Sequence, residues 1–203
     1  MILDTDICAE QVDILELAQE AIAGGCDIIQ LRAKNWSARK ILEIGQKIKK
    51  LVAGKKTLFI INDRADLACA LAADGVHLGQ DDLPVKAARR MLGQGKIIGL
   101  STHSLEQAQK AEQQGADYLA IGPIFATSTK PKLKPLGLEI ISKIKARVKI
   151  PFVVIGGINL NNLDKILVQG AERIAICQAI IGNKEVLSTT AEFAQRLRQR
   201  AKR

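Results

Sequence analysis

Short apolar runs alternate with longer segments of helical periodicity from one end of the chain to the other. The runs are rich in β-branched residues, as buried strands are, whereas the segments between them repeat apolar positions at the spacing of an amphipathic helix. The runs predict eight strands, at 2–4, 27–31, 57–61, 75–79, 96–100, 117–121, 151–155 and 173–177. The other segments predict helices near 11–23, 37–53, 64–73, 84–92, 104–114, 136–147, 159–169 and 185–200.

Apolar strands joined by helices are typical of a parallel sheet covered on both faces, which is the α/β class. Eight repeats of about 25 residues predict a (β/α)8 TIM barrel. We expect residues 1–203 to form a single domain, because no segment breaks the alternation as a linker would. A doubly wound open sheet is the alternative, but no G-x-G-x-x-G fingerprint follows the first strand. The stretch FATSTKPKLKP, at 125–135, predicts a long surface loop.

Composition excludes several classes of protein. Apolar residues make up 47% of the chain, yet no run approaches the roughly 18 residues that a membrane span needs. The amino terminus, MILDTDICAE, is acidic where a signal peptide would be basic, so we expect a cytoplasmic protein. The four cysteines are far apart and include no C-x-x-C pair, which argues against a zinc site and a disulfide framework.

The chain carries a formal net charge of +9. Five of those charges come from the last eight residues, RLRQRAKR, which are better explained by a solvated helix end than by an arm that binds nucleic acid. The remaining excess mildly favours anionic small molecules as ligands.

Two carboxylates follow successive predicted strands. Asp63 comes after TLFII, and Asp82 comes after GVHLG. Because the carboxyl ends of barrel strands meet at one mouth, we expect the two side chains to converge and to share a cation. Two carboxylates completed by water and substrate oxygens suit Mg²⁺. The alternative is that each Asp caps the helix that follows it.

Cationic and polar side chains follow other strands at the same end of the predicted barrel. They are Arg32, Lys34, Ser101, Thr127, Thr129 and Lys130. Facing two acids, the cations among them suit a diphosphate bridged by a metal ion, since arginine forks and lysine charges bind phosphate oxygens. For each lysine taken alone, a solvated loop charge is the simpler interpretation.

The last two strands predict a second anion site. Gly156 and Gly157 follow the seventh strand, and Cys177 and Gln178 end the eighth. Loops at these positions commonly bind phosphate through backbone N–H groups, and glycine permits the close approach. A plain tight turn is the alternative. Of the two histidines, His77 is interpreted as a hydrogen-bonded core residue, and His103 either lines the mouth or begins a helix.

With these residues identified, the sequence resembles the thiamine-phosphate synthase family. The motifs QLRAK, INDR, GVHLGQDD, IGLSTHS, GPIFATSTK and VIGGIN occur in the family's order and spacing, from about Asp4 to the last strand. Members of that family are TIM barrels. They join 4-amino-2-methyl-5-(diphosphooxymethyl)pyrimidine to 4-methyl-5-(2-phosphooxyethyl)thiazole, and they form thiamine phosphate and pyrophosphate with Mg²⁺.

The resemblance implies a role for each matching position. Mg²⁺ would be held by Asp63 and Asp82. The pyrimidine diphosphate would be bound by Gln30, Arg32, Lys34, Asn62, Ser101 and Lys130, of which Arg32, Lys34, Ser101 and Lys130 would be catalytic. The thiazole phosphate would be bound by Thr127, Thr129, Gly157 and the backbone at Cys177 and Gln178. The implied partners are two small molecules, without nucleic acid or membrane, and a homodimer is compatible with this interpretation.

Two positions depart from the family pattern. Ala33 stands where family members usually have an acid, so an orienting partner for Arg32 or Lys34 is expected to be missing. Gln178 stands where relatives tend to have Ser, and a backbone contact to phosphate would survive that change.

Two other functions remain open at the level of sequence. A thiazole tautomerase of the same superfamily shares the fold, but that branch uses a histidine near the position of Pro123 and tends to lose the lysine that is Lys130 here. A non-catalytic protein that binds phosphorylated ligands or nucleic acid is the third interpretation, and for nucleic acid it predicts steep salt dependence.

Overall fold

The strands form one parallel sheet in chain order, and the two edges of the sheet meet to make a barrel. The structure, a computed structural model, describes residues 1–8, 13–127 and 133–201. Within those ranges each strand pairs in parallel with the next, and Ile2 N donates to Ile176 O over 2.9 Å where the last strand meets the first. The strands are β1 (Ile2–Asp4), β2 (Ile28–Arg32), β3 (Leu58–Asn62), β4 (Gly75–Leu78), β5 (Ile97–Thr102), β6 (Tyr118–Ile121), β7 (Phe152–Ile155) and β8 (Ile174–Ala175).

A helix follows every strand, as the alternating pattern predicts. The helices are α1 (Ile14–Ala23), α2 (Ala38–Val52), α3 (Ala65–Ala70), α4 (Val85–Leu92), α5 (Leu105–Gln113), α6 (Glu139–Arg147), α7 (Leu163–Val168), α8 (Gln178–Ile181) and α9 (Val186–Ala201). None of the helices in the described ranges is long and apolar enough to cross a membrane. The architecture is therefore the (β/α)8 barrel, and the doubly wound alternative is wrong because the sheet order never reverses.

Helix α2 illustrates how the apolar period packs the outer layer. Its buried positions, Ile41, Gly45, Ile48 and Val52, recur every three or four residues and so lie on one face. A Cβ at Gly45 would lie 2.5 Å from Leu71 Cδ1, so any larger residue would require the side chain of Leu71, the C-cap of α3, to shift. Ser37 caps the helix by accepting from Lys40 N.

Each predicted strand and helix has an observed counterpart, but some bounds differ by three or four residues: α3 ends at Ala70 rather than 73, and α7 begins at Leu163 rather than 159. Strand β8 is shorter than the predicted 173–177, and the four-residue helix α8 that follows it was not predicted. The predicted start of the first helix at residue 11 lies outside the described residues, as does the middle of the predicted loop, 128–132. Residues 196–201 of the basic carboxyl-terminal segment belong to α9, whose last turn contains Arg198 and Arg200, as the sequence predicts.

Candidate active site

Asp63 turns the chain out of β3 at the mouth of the barrel. Its backbone has φ of 62°, a left-handed conformation that Asp tolerates better than most residues, and its N–H still donates to His77 O over 2.8 Å. The N-cap of α3 is Arg64, without a side-chain capping bond, and the N-cap of α4 is Pro84. Neither Asp63 nor Asp82 therefore caps a helix, and the capping alternative is wrong.

The carboxyl groups of Asp63 and Asp82 converge, as predicted from the strand ends. Burial raises the pKa of Asp63, and a hydrogen bond and the charge of Asp82 raise it further. Lys34 opposes this shift, since its Nζ lies 3.2 Å from Asp63 Oδ2. Asp82 is itself held in place, because its Oδ2 accepts from Gly79 N over 2.6 Å.

This pair of carboxylates fits a divalent cation. Two acids in contact, one of them with a raised pKa, form a place where added positive charge relieves repulsion. In the described part of the chain, no group of three or more His, Cys, Asp or Glu side chains could hold a metal ion. The remaining ligands would have to be water and substrate oxygens, and Mg²⁺ prefers that arrangement.

Arg32 is oriented by an acid that the sequence interpretation missed. Its Nη1 donates to both carboxylate oxygens of Asp4, over 2.8 and 2.7 Å, and approaches Asp6 Oδ2 at 3.4 Å. Asp4 is fully buried at the end of β1. The expected lack of a partner for Arg32 or Lys34 is therefore wrong, because Asp4 holds Arg32 and Asp63 holds Lys34. The position of Asp4 at a strand end was the available signal.

Three further predicted residues, Gln30, Asn62 and Ser101, line a cavity in the barrel together with His77. Ser101 Oγ lies 2.9 Å from His77 Nε2, and His77 Nδ1 lies 2.8 Å from Tyr118 OH. His77 is buried and hydrogen-bonded, as predicted, but it also faces the cavity that the predicted site residues share.

The loop after β6 is fixed against the glycines after β7. Gly156 and Gly157 have φ of 102° and 63°, and a Cβ on Gly157 would lie 2.5 Å from Ala126 O. Phe125 N donates to Gly156 O over 3.1 Å. The glycines therefore allow the two loops to touch, and this contact brings Thr127 and Gly157 to the same cavity.

Cys177 is the N-cap of α8, Gln178 is the first residue of that helix, and both line the cavity. Burial raises the pKa of the Cys177 thiol to about 12, and the nearby Asp4 and Cys8 add to the effect. The thiol is therefore protonated at neutral pH and unsuited to act as a nucleophile. The four cysteines of the chain are free, as predicted.

The cavity has a volume of about 1360 Å³ and extends from the mouth, where most of the predicted site lies, to the opposite end of the barrel, where Met1, Cys26 and Lys56 line it. The predicted residues that line it are Gln30, Arg32, Asn62, Ser101, Thr127, Gly157, Cys177 and Gln178. Lys34 and Asp63, which follow the ends of β2 and β3, form an ion pair. Asp82 is close enough to Asp63 to raise its pKa. Thr129 and Lys130 lie outside the described residues.

The chain is similar to known proteins of one family. A family model described as thiamine monophosphate synthase matches residues 1–180. Thiamine-phosphate synthase of Shouchella clausii is 47% identical over 175 residues, which cover 86% of this chain and 84% of that protein. Thiamine-phosphate synthase of Halalkalibacterium halodurans is 45% identical over 183 residues, which cover 90% of this chain and 87% of that protein. The solved structure of thiamine phosphate pyrophosphorylase from Pyrococcus furiosus is 39% identical, with a TM-score of 0.88, and the match covers 98% of this chain and 94% of that one.

Proposed function

The chain belongs to the thiamine monophosphate synthase family, and we propose that its barrel mouth releases diphosphate from a pyrimidine and joins that pyrimidine to a thiazole phosphate. The protein is an enzyme with the activity of a thiamine-phosphate synthase, which is a transferase. We further propose that it uses Mg²⁺, that its substrates are a pyrimidine diphosphate and a thiazole phosphate, and that the predicted site residues bind all three.

Asp63 and Asp82 would hold Mg²⁺, which would neutralise charge on the diphosphate as it leaves. The single observation that carries this proposal is the contact between the two carboxyl groups beside Lys34. With a cation held at Asp63, Lys34 would be free to turn to the phosphate oxygens. The half-exposed side chain of Lys34 can make that movement at little cost.

Arg32 would bind the diphosphate with the part of its guanidinium that the acids leave open. Its Nη1 is occupied by Asp4, whereas no hydrogen bond from its Nε or Nη2 is found among the described residues. The buried Asp4 fixes the plane of the Arg32 guanidinium group, so its Nε and Nη2 donors point in a defined direction. Gln30, Asn62 and Ser101 would complete the pyrimidine diphosphate site, and Lys130 would add a further cation.

The thiazole phosphate would lie at the opposite side of the cavity. Gly157 exposes backbone there, Thr127 and Thr129 would provide hydroxyl donors, and Cys177 and Gln178 would contribute their backbone N–H groups. The carboxamide of Gln178 is not needed for such contacts, so its departure from the family pattern is tolerated.

Bond breaking would require charge stabilisation and no protein nucleophile. When the diphosphate leaves, the pyrimidinylmethyl group becomes cationic, and the nitrogen of the adjacent thiazole captures it. Arg32, Lys34 and Lys130 would stabilise the charge that builds on the leaving group. The walls of the cavity would hold the two reactants together and exclude water. The partly buried, protonated thiol of Cys177 agrees with such a mechanism.

The test combines the purified protein with both phosphorylated precursors and Mg²⁺ and measures thiamine phosphate and pyrophosphate. We expect both products in equal amounts, and we expect EDTA or Asp63→Ala to abolish them. Products that form undiminished after EDTA or in Asp63→Ala would contradict the metal assignment. A cytoplasmic location, a homodimer and a single domain over residues 1–203 stay predictions.

A further inference from the structure

Three side chains form a hydrogen-bonded row from the barrel interior to the active-site cavity. Tyr118 OH lies 2.8 Å from His77 Nδ1, and His77 Nε2 lies 2.9 Å from Ser101 Oγ. Tyr118 and His77 are buried, whereas Ser101 is partly exposed at the cavity. The proposed reaction uses only the last member of this row, and the other two have no assigned role in it.

Strand register explains why these side chains meet. His77 of β4 aligns with Gly99 of β5, and Gly99 aligns with Tyr118 of β6, so the three residues form one layer across the sheet. A Cβ on Gly99 would lie 2.2 Å from Tyr118 Cζ and 2.5 Å from His77 Nδ1. The missing side chain on the middle strand therefore leaves the space in which the two rings contact, with centroids 5.4 Å apart.

The position of the protons in this row follows from Tyr118. Burial raises the pKa of its phenol, so the oxygen keeps its proton at every pH of interest. Among the described residues, the only hydrogen-bond partner of that hydroxyl is His77 Nδ1. Because leaving a buried O–H donor unpaired is costly, Tyr118 donates and Nδ1 accepts.

The rest of the row is then fixed. When Nδ1 accepts, the proton of the neutral imidazole is on Nε2, which donates to Ser101 Oγ. The hydroxyl proton of Ser101 is thereby left to point away from His77, toward the cavity. With the opposite tautomer, Ser101 would donate to His77 and would turn oxygen lone pairs toward an anionic ligand.

The second histidine provides an internal contrast. His103 Nδ1 lies 2.5 Å from Gly122 O. A carbonyl oxygen can only accept, so Nδ1 of His103 carries a proton. The two histidines of the chain are therefore expected to differ in the protonation of Nδ1.

We propose that Tyr118 is a positioning residue that sets the tautomer of His77 and so makes Ser101 a hydrogen-bond donor to an anion in the cavity. The identity of that anion as the substrate diphosphate rests on the proposed function. The assignment of the protons does not, because it is argued from the hydrogen bonds that join Tyr118, His77 and Ser101.

The first test is NMR spectroscopy of protein labelled with ¹⁵N-histidine, in which two-bond ¹⁵N–¹H correlations distinguish the tautomers. We expect one histidine with the proton on Nε2 and one with a protonated Nδ1, and His103→Gln would assign them. In Tyr118→Phe, the signal of His77 should shift toward the other tautomer. A protonated Nδ1 on His77 in the unaltered protein would overturn the proposal, whatever the enzyme assay gives.

The second test is a double-mutant cycle with Tyr118→Phe and Ser101→Ala, measured as kcat/KM for the pyrimidine diphosphate. Tyr118→Phe should lower kcat/KM about 10-fold or more in the unaltered background and should have almost no effect when Ser101 is already Ala. The melting temperature checks that the variants fold. A purely structural role of Tyr118 predicts the same loss in both backgrounds, and that outcome would overturn the proposal. If the unaltered protein makes no thiamine phosphate, the proposed function fails while the NMR test stands.

Discussion

The carboxyl group of Asp82 acts on that of Asp63, whose pKa it raises through a side-chain hydrogen bond and through its charge, although the two residues follow different strands of the barrel. Such a pair is unfavourable when both acids are ionised and no cation is bound. We therefore expect Asp63 to destabilise the metal-free fold and to favour the binding of a cation. The consequences for metal binding and for stability can both be measured.

Asp63→Asn should stabilise the protein in metal-free buffer while it abolishes activity. The amide removes a desolvated negative charge next to Asp82, and Asn tolerates the φ of 62° at this position. Loss of the half-exposed ion pair with Lys34 should cost little. We expect a rise in melting temperature of about 2 °C, the equivalent of roughly 0.5–1 kcal/mol in a chain of this size. An unchanged response to Mg²⁺ in this variant would contradict the assignment of Asp63 as a ligand.

The stabilisation that Mg²⁺ provides should grow as the pH rises. Because the pKa of Asp63 is raised above its ordinary value of 3.8, the folded state binds this proton more tightly than the unfolded chain does. Without metal, the stability from this group is present below about pH 4 and is lost as the pH rises through the raised pKa. Mg²⁺ needs the ionised carboxylate, so its effect has the opposite sign.

Melting curves with and without Mg²⁺ across this pH range measure the effect. The difference in melting temperature should increase from acidic to neutral pH in the unaltered protein and should stay flat in Asp63→Asn. A difference that is independent of pH in both proteins would show that Asp63 does not ligate the ion.

Much of the architecture and part of the site could be predicted from the sequence. Repeated strand and helix periods predicted the eight strands, and the rule that strand ends meet at one mouth predicted the convergence of Asp63 and Asp82. Both predictions depend on local patterns that each strand carries in its own residues. Helix α8 was missed because four residues are too few to show a period.

The hydrogen-bonded row of Tyr118, His77 and Ser101 could not be predicted in the same way. It depends on the register of three strands and on the space that Gly99 leaves between them. The strand register and the space beside Gly99 both depend on how several strands pair, so no single segment of the sequence reveals them. Asp4 was missed for a related reason, since its role is to pair with Arg32, which lies on the neighbouring strand.

Lys130→Ala should lower turnover by about two orders of magnitude or more. The reason is the loss of a cation from the developing charge of the leaving diphosphate, an effect for which removal of one stabilising group typically costs about 10²–10³ in kcat. Lys134→Ala is a matched control, because Lys134 belongs to the same loop and is exposed. Steady-state kinetics should show near-normal turnover in the control. Near-normal turnover in Lys130→Ala would refute the role of this residue.

Gly157→Ala should raise the KM for the thiazole phosphate and destabilise the fold. The left-handed φ of 63° costs about 1–2 kcal/mol for Ala, and the added Cβ would lie 2.5 Å from Ala126 O. Gly54→Ala separates the two effects, since Gly54 has φ of 71° but nothing within 4 Å of an added Cβ. Urea unfolding should show the larger loss for Gly157→Ala, and only that variant should change the KM. Equal losses in the two variants would mean that the contact between the loops has no importance.

Asp4→Asn should cost both stability and activity, because it removes half of a buried ion pair. Asp4 is fully buried and accepts twice from Arg32 Nη1, and breaking such a pair on one side typically costs about 3–5 kcal/mol. Asp6→Asn is the matched control, since Asp6 is more exposed and lies 3.4 Å from the same Nη1, where a surface pair contributes about 0–1 kcal/mol.

Activity should follow the orientation of Arg32 as well as its charge. With Asp4 replaced, the guanidinium keeps its charge but loses the acceptor that fixes its plane, so we expect kcat/KM for the pyrimidine diphosphate to fall about 10-fold or more, a loss of roughly 1.4 kcal/mol in transition-state stabilisation. Measuring kcat/KM and urea unfolding on both variants separates the two effects. If Asp6→Asn proves as damaging as Asp4→Asn, the buried acid is not what orients Arg32, and the diphosphate site must be organised from the rim of the barrel instead.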